Sequence, residues 1–124
     1  MLELLKGWPK GESVPAISIK QPWASAVVFL GKDVENRAYW PFKYRGPIII
    51  HASASRFFLE DVEEMMGTAR KDGWAEGYLR NFDANDGLEG IYMQGSVIGV
   101  VRLIEVFSDE AELPEGHPIA GTPW

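Results

Sequence analysis

In the run GKDVENR, a lysine, a glutamate and an arginine stand at positions 32, 35 and 37. If this run is extended, Glu35 and Arg37 project on the same side, because side chains on an extended chain alternate with a period of two. A lysine beside a carboxylate and an arginine can hold a phosphate, and can also act as an acid–base set, so Lys32 and Glu35 are the candidate catalytic pair. The same trio fits a plain surface Glu–Arg pair worth at most about 1 kcal/mol.

Other polar groups gather around it. SIKQPWAS brings Lys20, Gln21, Trp23 and Ser25 to a strand-to-helix turn, where free N–H groups could hold an anion. The plainer reading makes Gln21 a cap, Trp23 a core residue and Ser25 a neutral helix residue. IIIHAS places His51 and Ser53 in a run otherwise fit for burial, where a lone histidine is more often a hydrogen-bonded group than a base. Arg37 and Arg45 can grip phosphate in forked geometry, and Tyr39 or Trp40 can stack on an unpaired base. The candidate binding residues are therefore Lys20, Gln21, Trp23, Ser25, Arg37, Trp40, Arg45, His51 and Ser53. No metal and no organic cofactor is expected, because the chain holds two histidines, no cysteine and no complete phosphate-binding glycine loop.

The elements that must position these residues follow from hydrophobic spacing. AISIK reads as a short strand with Ile17 and Ile19 on one face and Ser18 and Lys20 on the other. QPWASAVVFLG reads as a helix with Pro22 at its first position, Trp23, Val27 and Leu30 on one face, and Gly31 as its stop. Residues 33–39 turn extended, and RGPIIIHAS is a turn followed by a buried central strand. Ser55 is the expected cap of a second helix reaching about Lys71, with acids early, cations late and an apolar stripe of Phe58, Val62, Met65, Met66 and Ala69. Residues 72–95, rich in Gly, Asp and Asn, read as a long loop with room for one helical turn. SVIGVVRLIEVFSD is the strongest strand and is expected to be central, with Gly95 and Gly99 permitting a turn and a bulge.

The chain of 124 residues has the size of one domain, with a lead-in over 1–15, a core over about 16–109 and a turn-rich tail over 110–124. Its net charge of -6 is divided unevenly, +4 over residues 1–56 and -10 over the remainder. A locally basic face on an acidic body is compatible with a polyanionic ligand. No apolar run approaches the roughly 18 to 20 residues that span a bilayer, and the first residues lack the pattern of a signal peptide, so a cytoplasmic location is the default expectation. The element order, strand, helix, strands, helix, strand, fits a β-rich α+β fold built as a small mixed barrel flanked by two helices.

The blocks ISIKQPWAS, GKDVENR, YRGP, IIIHAS and GSVIGVV, in this order, resemble the activating signal cointegrator homology (ASCH) family. The resemblance covers residues 17–55 and 90–107. It implies a PUA-like β-barrel, a fold associated with RNA binding and RNA modification. The family includes nucleases acting on RNA and amidohydrolases that deacetylate N4-acetylcytidine. By motif position, Lys32 corresponds to the lysine of the amidohydrolase group, whereas Glu35 stands where that group has a nucleophilic threonine. A carboxylate does not serve as an activated hydroxyl, so the chain is closer to the branch carrying Gln-Pro-Trp-Ala. Relatives also continue past the Pro-Trp element into a further strand, and the chain is expected to lack that C-terminal strand.

Three functions remain open on these residues. The first is an RNA-binding domain, with single-stranded RNA entering a polar, basic cleft, and with hydrolysis of RNA as its chemistry if it is an enzyme. The second is hydrolysis of an acylated cytidine nucleoside. The third is a non-catalytic interaction module that forms a homodimer or takes a strand from another chain at its C-terminal edge. No membrane partner is expected.

Overall fold

The computed structural model describes residues 2–37, 43–71 and 93–107. A 3-10 helix, Leu2–Leu5, leads into strand β1 (Ala16–Ile19), helix α1 (Trp23–Phe29), strand β2 (Gly46–Ala52), helix α2 (Leu59–Arg70) and strand β3 (Ser96–Leu103). β2 is central: it pairs with β1 in parallel and with β3 antiparallel. The fold is α+β, a mixed three-stranded sheet with two helices.

Alternation decides which face is buried. Ile17 and Ile19 of β1 and Ile48, Ile50 and Ala52 of β2 point into the core. α1 lies on that face, and Ala24 and Ala26, both fully buried, let its backbone come close to its neighbours. α2 packs on the far side of α1 through Met65 and Ala69, which meet Ala26 and Leu30. The half-buried Trp23 touches both clusters and ties the layers together.

Two expectations are corrected, the place of β3 in the sheet and the start of α2. Among the described residues the sheet is open and does not close into a barrel, so the barrel geometry is not seen. Of the run expected to be extended, residues 33–37 are described; they carry no ladder pairing, and Arg37 reaches β1 through its side chain. β3, expected to be central, pairs only with β2 among the described residues. An apolar run reports that its faces are covered; it does not report whether a second strand lies at its edge.

The other correction concerns α2, which begins at Leu59 and not after Ser55. The Asp61 carboxylate accepts the Phe58 N–H at 2.8 Å, while the Phe58 carbonyl accepts the Asp61 N–H at 3.0 Å. Ser55 is engaged elsewhere, donating its N–H to the Ser53 hydroxyl at 3.0 Å. Phe58 accordingly leaves the apolar stripe, and the Arg56 guanidinium lies 5.0 Å from its ring centre. The charge order along α2 is the expected one, with Glu60 and Asp61 in the first turn and Arg70 in the last.

The bulge falls where glycine allows it. The β2–β3 register shifts between Ile50, paired with Gly99, and His51, paired with Val97. Ile98 is the extra residue.

Candidate functional site

Gly31 sets the position of the site lysine. It closes α1 with φ 71°, a left-handed conformation that glycine adopts without strain. The Lys32 N–H then returns to the Ala26 carbonyl at 3.1 Å, which turns the chain off the helix axis toward the edge of β1. The Lys32 side chain is only 8% exposed and donates to the Val34 carbonyl and to Glu35 Oε2, the latter at 2.8 Å. The second oxygen of Glu35 lies 3.9 Å from Arg37 Nε, with side-chain exposures of 22% and 30%. One glutamate is thus shared between two cations, and the three residues act as a unit.

Arg37 carries the unit to the sheet. Its Nη2 donates to the Ser18 carbonyl of β1. The Ser18 hydroxyl in turn lies 3.0 Å from His51 Nδ1, across the parallel ladder in which Ser18 and His51 are register partners. A connected series therefore runs Lys32, Glu35, Arg37, Ser18, His51. His51 belongs to the face of β2 opposite Ile48 and Ile50, so it is hydrogen-bonded as expected but lies on the side away from the core.

The remaining candidates are distributed around this series. Lys20 is exposed just beyond β1, and Ser53, half-buried beyond β2, donates its N–H to Ile19 and its hydroxyl to Ser55. Gln21 and Ser25 are fully buried: Gln21 Oε1 accepts the Ser25 N–H at 3.0 Å, and its Nε2 donates to the Met93 carbonyl at 2.9 Å. Both serve the start of α1 and its tie to the segment before β3. Arg45 is not brought to the series. It stands before the first residue of β2, about 20 Å along the strand direction from His51, and its guanidinium binds Glu105 at 3.0 Å. Trp40 lies outside the described residues.

Ser18 belongs to this series but is not among the candidates that residue type and spacing single out. The alternation in AISIK already put it with Lys20 on the face away from Ile17 and Ile19, but nothing local shows that His51 stands opposite. Among the described residues no group of three or more histidines, aspartates and glutamates could hold a metal ion, and no helix is long and apolar enough to cross a membrane.

No family model matches the chain. The chain is 33% identical over 94 residues to activating signal cointegrator 1 of Homo sapiens, an alignment that covers 76% of this chain and 14% of that protein. It therefore spans about a seventh of the length of the relative it matches. With the ordered motif blocks and the α+β architecture, this identity gives the chain a distant, ASCH-like relationship to that protein.

Proposed function

We propose that this domain binds single-stranded RNA along the edge of β1 and the outer face of β1 and β2. The observation that carries this reading is the continuous series from Lys32 through Glu35, Arg37 and Ser18 to His51. It concentrates cationic and hydrogen-bonding groups at one place in a chain whose total charge is -6. Arg37 supplies charge and the N–H groups not used on Glu35 and Ser18, and these two residues hold its orientation. The distant similarity to activating signal cointegrator 1 supports the same reading.

Fluorescence anisotropy of a short labelled single-stranded RNA, read at rising salt, tests it. Affinity should fall linearly on a log–log plot with salt, and Arg37→Ala should weaken it by roughly tenfold. Absence of binding at low salt, or binding indifferent to salt, sinks the proposal.

A second reading, hydrolysis of an acylated cytidine, draws on the nearly buried Lys32 beside Glu35. A lysine–carboxylate pair sheltered from water is a suitable acid–base arrangement. Turnover of acylated cytidines by the wild type and its loss in Lys32→Ala would support it; no turnover in either removes it.

A further inference from the structure

The sheet register sets three side chains in one row on its outer face. Ser18 of β1 is the register partner of His51 of β2, and His51 is the partner of Val97 of β3. Neighbouring strands lie about 4.8 Å apart, so the row spans about 10 Å from Ser18 to Val97. It is graded along that span. At the β1 end stand the Ser18 hydroxyl and the Arg37 guanidinium, which reaches the Ser18 carbonyl from outside the sheet. Lys20, two residues beyond Ser18, continues the same side; it is exposed, and its ammonium has no partner among the described residues. At the β3 end stands Val97, apolar and 58% exposed.

His51 occupies the middle and is half-used. Its Nδ1 is bonded to Ser18, while its Nε2 has no partner among the described residues. A Ser–His pair invites comparison with a nucleophile and its base, but such a base is oriented by a carboxylate on its other nitrogen. Here no described carboxylate takes that place. Unpartnered among the described residues, that nitrogen is a position for a ligand.

We infer that this row seats one nucleotide unit of the bound strand. The inference rests on the proposed RNA binding and adds the chemistry of the seat. The phosphate lies over Ser18, between Lys20 and Arg37, which supply two positive charges; with the proton on His51 Nδ1, the Ser18 hydroxyl accepts from the imidazole and donates its own hydrogen to the phosphate. The sugar and base extend over His51 and Val97, with the imidazole edge free to bond a sugar hydroxyl or a base and the valine offering an apolar contact. The ligand class is a nucleoside monophosphate, free or within RNA, and the seat discriminates against the uncharged nucleoside.

Calorimetric titrations of the whole chain at low salt, with cytidine, cytidine 5′-monophosphate, inorganic phosphate and a short single-stranded RNA, test the seat. Cytidine 5′-monophosphate should bind about tenfold more tightly than cytidine. Lys20→Ala should erase most of that margin while leaving cytidine affinity unchanged, whereas Ser18→Ala, which also removes the partner of His51, should weaken both ligands. Both side chains are on the outer face, so the fold has little to lose, and the imidazole resonances of His51 should shift on adding the monophosphate. If RNA binds but the monophosphate gains nothing over cytidine, or Lys20→Ala leaves the margin intact, the seat is overturned and the RNA reading stands. If RNA itself does not bind, both fall.

Discussion

At the residue scale, the two most informative side chains are Gln21 and His51, because each has a different role from the one its neighbours suggest. Gln21 stands among candidate ligand contacts, yet both ends of its amide are used inside the fold, on the Ser25 N–H and the Met93 carbonyl. A buried donor or acceptor left without a partner costs about 1–3 kcal/mol. Gln21→Ala is therefore expected to destabilise the domain by about 2–3 kcal/mol, read as a lower urea midpoint with an unchanged slope. A midpoint equal to wild type would mean that the amide is dispensable. His51 lies in a strand rich in isoleucine, but the pleat turns it to the face where Ser18 waits. Its residue type and parity were legible in the sequence, whereas its partner, 33 positions away, was not.

At the element scale, the end of α1 links local propensity to the site. Gly31 is the residue whose backbone conformation a side chain would oppose, and Lys32 follows directly. Gly31→Ala should cost about 1–2 kcal/mol of stability, and Gly31→Asn less, since asparagine tolerates the left-handed region. If Gly31 acts by aiming Lys32, the alanine variant should also weaken RNA binding under conditions where it is fully folded. Thermal melts and anisotropy on the same samples separate the two effects. Helix α1, β1, β2 and the glycine stop were all readable from period and punctuation. The onset of α2 differs from the expected one because Ser55, a good cap by type, gives its N–H to Ser53, while the N–H of Phe58, a residue with no capping side chain, is held by Asp61 from within the helix.

At the scale of the whole molecule, the two arginines that look equivalent in sequence are separated by the length of β2. Arg37 meets Glu35 and Ser18, while Arg45 meets Glu105 at the opposite end. Arg45→Ala should therefore reduce RNA affinity by clearly less than Arg37→Ala in the anisotropy assay. Equal losses would show that the strand runs the full length of β2. The charge asymmetry of the chain has the same logic, since segments that are basic in sequence become a basic surface only where the fold places them side by side.

By its own pattern, the sequence determined the alternation that buries Ile17, Ile19, Ile48 and Ile50, the glycine that ends α1, and the proximity of Lys32, Glu35 and Arg37. All of these are set within a few residues, by the period of the backbone and the steric freedom of glycine. Only the tertiary structure decided that Ser18 faces His51, that His51 faces Val97, and that Gln21 is withdrawn to hold Met93. Strand register is a long-range choice, made by which faces can be buried together, and a shift of one residue would have turned His51 into the core.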